Sequence, residues 1–114
     1  MTRSPRPLVR RARADADVRE AIDHYLEEST SVALGFVDAL EAAYEHIRRS
    51  PATGSPRYGH ELNLQGLRSW PCRRHPYLVF YVSYEDRIEV WRVLHMSCDI
   101  PRWLQQGTSP GFPK

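Results

Sequence analysis

The chain has 114 residues, 41% apolar and 26% charged, which suits one globular domain with one core. Its formal charge of +2 and pI near 8.7 are too weak a bias to argue nucleic-acid binding from composition. No apolar run approaches the ~18 residues of a membrane span, so no membrane partner is expected. No apolar segment follows the charged start, so no secretory leader is expected either. Cys72 and Cys98 make neither a disulfide framework nor a metal quartet, and a reducing cytoplasm is the expected location.

The charges are unevenly placed. Arg3, Arg6, Arg10, Arg11 and Arg13 crowd the N-terminus, and Arg68, Arg73 and Arg74 lie further on, while acids concentrate between Asp15 and Glu45. One end of the molecule is expected to be basic, which a solvated strand edge explains equally well.

In chain order, residues 1–7 carry two prolines and no periodicity and read as loose. Leu8–Ala12 fits a short first strand. Asp15 or Asp17 offers a helix N-cap. Val18, Ala21, Ile22, Tyr25 and Leu26 then form one apolar helical stripe. Glu28–Ser31 interrupts it and supplies a new cap. A second helix runs to about Arg49 on the stripe Phe36, Leu40, Ala43 and Ile47, with Arg48 and Arg49 at the negative end of its dipole. The short link makes the two helices an antiparallel hairpin. Ser50–Gly54 is a stop, and Ser55–Gln65 reads as a loop.

Three runs rich in Val, Ile, Tyr, Phe and Trp follow: Leu67–Trp70, Tyr77–Tyr84 and Ile88–Leu94. Glu85-Asp86 predicts a hairpin between the last two, and the whole reads as an antiparallel meander. Pro101–Gln106 predicts a short final helix that begins on its proline. The Gly- and Pro-rich residues 107–114 read as a flexible tail. Residues 8–106 therefore form one α+β domain of two layers.

Strict alternation puts Tyr77, Val79 and Tyr81 on one face and Leu78, Phe80 and Val82 on the other. It likewise sets Val90 and Leu94 against Trp91 and Val93. A helical hairpin covers one face only. The second face is then either a partner surface or is closed by the C-terminal helix and loops.

There is no Gly-rich phosphate loop, zinc spacing or Gly-x-Ser-x-Gly elbow, so no metal or cofactor is expected. Arg68, Tyr81, Arg92, His95 and Asp99 lie on or just after the strands. With His95 as base or acid, Arg68 and Arg92 as charge stabilisers and Tyr81 as stacking group or donor, such a set suits metal-independent RNA cleavage. The structural alternative makes His95 a capping residue and Arg92 a buried ion-pair partner of Glu89 or Asp99. The cysteines and most aromatics read as packing residues.

The segments Gly66-Leu67-Arg68, Pro76–Tyr81, Ile88–His95 and Asp99-Ile100-Pro101 resemble the ParE branch of the RelE/ParE toxins of type II toxin–antitoxin modules. Ala14–Asp17, Ile22–Tyr25, Phe36 and Ser50-Pro51-x-x-Gly54 resemble the helical half of that family, so the likeness spans about residues 8–104. The resemblance implies a toxin of the plasmid-stabilisation kind that arrests growth by inhibiting DNA gyrase without catalysis of its own. It also implies a ParD-like antitoxin in a hetero-oligomer, with operator DNA bound only through that antitoxin.

Arg68, Tyr77, Tyr81, Trp91 and Trp103 are the candidate partner-contacting residues. The RelE-like alternative is a ribosome-dependent mRNA endoribonuclease using His95, Arg68, Tyr81 and Arg92. Glu61–Gln65 and Tyr77–Tyr84 hold no Lys or Arg, which favours the ParE reading. Cys98 stands where the family's His-x-x-Arg-Asp element has Arg, and an antitoxin-binding remnant without toxicity is the third alternative.

Overall fold

The computed structural model describes residues 6–108, with the backbone alone at 106–108. The expected loose N-terminus (1–7) and flexible tail (107–114) fall mostly outside that range. A strand β1 (Leu8–Arg10) leads into helices α1 (Ala12–Leu26) and α2 (Thr30–Arg49). A 3-10 turn (Pro51–Thr53) and a short helix α3 (Arg57–Leu62) precede β2 (Leu67–Pro71), β3 (Tyr77–Ser83) and β4 (Ile88–His95). Helix α4 (Ile100–Thr108) follows. The sheet order is β1-β4-β3-β2, with β1 parallel to β4 and the meander antiparallel.

The expected meander and α2 are present, and Ser29 caps α2 by accepting the Val32 N–H at 3.0 Å. Phe36, Leu40, Ala43 and Ile47 are all buried, as the helical stripe requires. The start of α1 differs from expectation. Its N-cap is Arg11, with no side-chain cap, and neither Asp15 nor Asp17 serves. The boundary is set by the sheet instead: the Arg11 N–H donates to the Val90 carbonyl at 2.9 Å, which ends β1 and turns the chain directly into helix. Asp15 bonds Arg10, which frees Asp17 for another task. Leu26, at the end of the predicted stripe, is exposed.

Strict alternation also fails in β4. Tyr81 pairs with Val90 but Phe80 pairs with Arg92, so Trp91 is an extra residue in a β-bulge. One inserted residue reverses side-chain parity beyond it. Ile88, Val90 and Val93 therefore share the core under α1 and α2, while Trp91 and Leu94 pack on the opposite face. On β3 the expected division holds: Tyr77, Val79 and Tyr81 belong to the first core, Phe80 and Val82 to the second.

That second core answers the question of the uncovered face. Leu67, Phe80, Val82 and Leu94 are buried there beneath Ile100 and Leu104 of α4 and beside Tyr58, Leu62 and Leu64. The C-terminal helix and the 55–65 segment close the face. The segment contains α3 where a loop is expected, because Tyr58 and Leu62, one helical turn apart, both pack on the sheet. Asn63 ends this helix in the left-handed conformation (φ 56°), and the Leu64 N–H returns to the Gly59 carbonyl at 2.9 Å.

Arg92 joins the layers. It is 1% exposed. Its Nε and Nη2 donate to Asp17 Oδ2 and Oδ1 of α1 at 2.7 and 2.8 Å, and its Nη1 donates to the Trp103 carbonyl of α4 at 2.7 Å. The ion-pair role expected of Arg92 is present, but the partner is Asp17 rather than Glu89 or Asp99. Glu89 is taken by Arg11, Arg87 and the Trp91 indole.

Removing one member of a buried pair strands the other's charge. Asp17→Ala should destabilise the domain by about 3–5 kcal/mol in urea denaturation, and Asp17→Ala/Arg92→Met should be more stable than Asp17→Ala alone. A double variant as unstable as the sum of its singles would contradict this account.

Candidate functional site

The residues singled out for chemistry are spread over two ends of the sheet and both its faces. Arg68 faces Tyr81 across β2 and β3, and Arg92 faces Phe80 across β3 and β4. His95 faces Tyr77, four residues along β3 from Tyr81, or about 13 Å at the usual strand rise.

At the first end, Tyr81 is fully buried. Its hydroxyl donates to the Pro51 carbonyl at 2.7 Å and accepts the Gly54 N–H at 3.1 Å. A Cβ at position 54 would fall 2.2 Å from that hydroxyl, so only glycine permits the contact. Arg68 Nη1 donates to the Gly54 carbonyl at 2.7 Å. Burial pushes the Tyr81 hydroxyl's pKa up, against the Gly54 N–H and Arg68, which pull it down. This is a structural clasp between the 3-10 turn after α2 and β3, and Tyr81 has no exposed surface with which to touch RNA or a partner.

At the second end, a groove of about 390 Å³ runs between α1 and the last residues of β4, with Trp103 on its far wall. Glu20, His24, Tyr77, Arg92, His95 and Cys98 also line it. Arg92 is locked here by Asp17, which in addition accepts the Val93 N–H at 3.0 Å. His95 Nδ1 accepts the Ser97 backbone N–H at 3.0 Å and lies 2.8 Å from the Ser97 hydroxyl. The ring meets Tyr77 edge-on, with centroids 5.0 Å apart. A backbone N–H can only donate, so Nδ1 holds the lone pair and Nε2 the proton in the neutral ring. The one basic nitrogen is already occupied.

The cysteines are not activated. Burial raises the Cys72 thiol to about 11, and burial also raises Cys98. Among the described residues no cluster of His, Cys, Asp and Glu could hold a metal ion. Glu89, on the other flank of β4, is an ordinary ion-pair centre. Burial opposes its ionisation, but hydrogen bonds from Arg87, Arg11 and Trp91 outweigh burial and hold the carboxyl below its usual pKa.

The expected partner residues divide by exposure. Tyr77 and Tyr81 are buried, Arg68 and Trp91 half-buried, and Trp103 is 41% exposed. Arg11 lies 4.2 Å above the Trp91 ring. Arg68 and Tyr81 meet at one end, and Tyr77 and Trp103 at the groove. The sequence reading missed Asp17, Glu20 and His24 as groove residues. Their spacing along α1 (17, 20, 24) puts them on one helix face, which is the signal that could have found them.

A family model described as the ParE toxin of type II toxin–antitoxin system, parDE, matches residues 8–100. A solved structure titled "Chromosomal ParDE TA system from P. aeruginosa" has a chain similar in fold, with a TM-score of 0.68 and 19% identity. The likeness covers 81% of this chain and 97% of that one. Nothing among the curated proteins matches.

Two tyrosine hydroxyls should respond in opposite ways. Tyr81→Phe leaves the Gly54 N–H and the Pro51 carbonyl without their partner and should cost about 1–3 kcal/mol. The Tyr44 hydroxyl is buried without a partner among the described residues, so Tyr44→Phe should be neutral or slightly stabilising. Thermal denaturation of both variants checks this. Nitrogen-15 NMR should show the neutral His95 ring as the Nε2–H tautomer. A protonated Nδ1 in the neutral ring would refute the assignment.

Proposed function

The chain belongs to the ParE toxin family of type II toxin–antitoxin systems, and from that premise we propose that it arrests growth by binding DNA gyrase rather than by cutting RNA. The observation that carries this reading is the dispersal of the candidate nuclease set. Metal-independent cleavage needs a base, an acid and a cation around one phosphate, each within hydrogen-bond reach. Here the lone pair of His95 is spent on Ser97, Arg92 is buried against Asp17, Tyr81 is buried under Gly54, and Arg68 lies at the other end of the sheet. A protein that acts by contact needs none of these groups to converge.

The partner in this reading is a ParD-like antitoxin that forms a hetero-oligomer with the chain and carries the operator-DNA contact. The solved relative's title names a ParDE system, which supports that partner. No helix among the described residues is long and apolar enough to cross a membrane. Cytoplasmic action, where gyrase works, fits two unactivated free thiols.

Induction of the chain alone in a bacterial host tests the target. Filamentation with an SOS response and intact mRNA is the expected result, together with accumulation of cleaved plasmid when purified chain meets gyrase. Rapid mRNA cleavage that His95→Ala lowers about a hundredfold or more would replace the reading by the nuclease one. Absence of arrest would leave a non-toxic antitoxin-binding domain, with Cys98 in the family's Arg position as the first residue to restore.

A further inference from the structure

The link between β2 and β3 carries two guanidiniums that the fold does not use. Arg73 and Arg74 are exposed, and neither side chain has a hydrogen bond, ion pair or ring contact among the described residues. Only the main chain of the turn is engaged. The Arg73 carbonyl accepts from His75 Nδ1 at 2.9 Å, and the Cys72 N–H donates to the Tyr77 carbonyl at 2.9 Å. Arg74 has φ 66°, a left-handed conformation that glycine or asparagine adopts more readily. The turn thus keeps a long cationic side chain where its backbone favours a small one.

Beside this turn, α2 and β2 enclose a cleft of about 380 Å³. Ala39, Ala42 and Ala43 form its helix wall, Trp70 and Pro71 its strand wall, and Arg73 completes the lining. Three methyl groups set against an indole and a pyrrolidine ring make a slot suited to a flat ring. The indole is held in place, because the His46 ring stacks on it with centroids 3.7 Å apart and planes 14° from parallel. His46 is fixed in turn. The Thr53 hydroxyl donates to the Ser50 carbonyl at 2.8 Å, so His46 Nε2 is the donor in its 2.8 Å bond to Thr53 Oγ1. The Trp70 indole N–H has no partner among the described residues. Acids of α2 do not offset the two arginines at the cleft. Glu41 lies on the groove beside β1, Glu45 is tied to Arg48 and Arg49, and Asp38 does not line the cleft.

A slot for a flat ring beside two unpaired guanidiniums matches one ligand chemistry, a heteroaromatic ring that carries a phosphate. We propose that this cleft binds a nucleotide unit, with its base between the α2 alanines and Trp70 and its phosphate on Arg73 and Arg74. A free nucleotide and a single nucleic-acid strand both supply that unit. The site lies on the β2 flank, two strands from the groove beside α1, and stands whether or not gyrase is the target.

The test titrates the full chain with AMP, adenosine, inorganic phosphate and a single DNA strand of about twelve nucleotides, read by nitrogen-15 NMR at the indole N–H signals. AMP or the strand should shift the Trp70 signal and leave those of Trp91 and Trp103 in place. Tighter binding of AMP would assign the site to free nucleotides, and tighter binding of the strand would assign it to nucleic acid. Adenosine and inorganic phosphate should each bind about tenfold more weakly than the better of these two.

Arg73→Gln and Arg74→Gln should each weaken binding about tenfold. Arg19→Gln, which removes an exposed cation of α1, should leave it unchanged. Ala42→Glu, at an exposed helix position, should block the slot while the thermal denaturation stays that of the parent. Arg74→Gly should weaken binding yet keep or raise the melting temperature, since glycine relaxes the left-handed backbone. A fall in melting temperature would make Arg74 a structural residue and count against the proposal. Equal losses from Arg19→Gln and Arg73→Gln would reduce the binding to diffuse charge attraction and overturn it. A Trp70 signal that neither AMP nor the strand moves would overturn it too. So would a Glu-rich peptide that binds more tightly than either and is lost in Arg73→Gln, which would assign the cleft to an acidic protein.

Discussion

The Arg92–Asp17 pair fixes the relation between the layers. One guanidinium holds α1 through the carboxylate and α4 through a main-chain carbonyl, and the same carboxylate caps the strand edge at Val93. A buried ion pair is poor evidence of net stability, since desolvating both ions offsets most of their attraction. Its effect lies in geometry. Planar, bidentate bonding admits one orientation of α1 against β4, whereas an apolar contact tolerates sliding. The groove exists because α1 and α4 are held apart at this set spacing.

The bulge at Trp91 is the second constraint. A regular β4 could not bury Val90 and Val93 under α1 and α2 while also sending Leu94 to α4. The extra residue allows both, and it gives one short strand a share in two cores. The aromatic cluster of Tyr25, Phe36, His75 and Tyr77 fills the first core towards the groove. The second core is thinner, roofed by α3 and α4. What the strand pattern alone left open as a whole sheet face is thereby reduced to a groove at one edge.

This arrangement separates structural polar groups from available ones. Tyr81, Arg92 and Asp17 are polar residues consumed by the fold. Satisfied buried polar networks specify a unique core at the cost of leaving nothing over for chemistry. The groups that remain accessible, Glu20, Trp103 and the His95 Nε2–H, are suited to recognition.

Much of the architecture was legible in the chain itself. The Phe36–Ile47 stripe marked α2, the Val-, Ile- and Tyr-rich runs marked the meander, and the Glu28–Ser31 break marked a cap, because helical and strand periodicities are written locally. Motifs from Gly66 to Pro101 were enough to suggest the family. Tertiary structure decided the rest. The N-cap of α1 was displaced because pairing of β1 with β4, some eighty positions apart along the sequence, ends at Arg11. Helix α3 is too short for a periodic signal and forms because Tyr58 and Leu62 find a sheet to cover. Asp17 was chosen over Glu89 as the partner of Arg92 because charge pairing depends on distance through space, which no spacing along the chain reports.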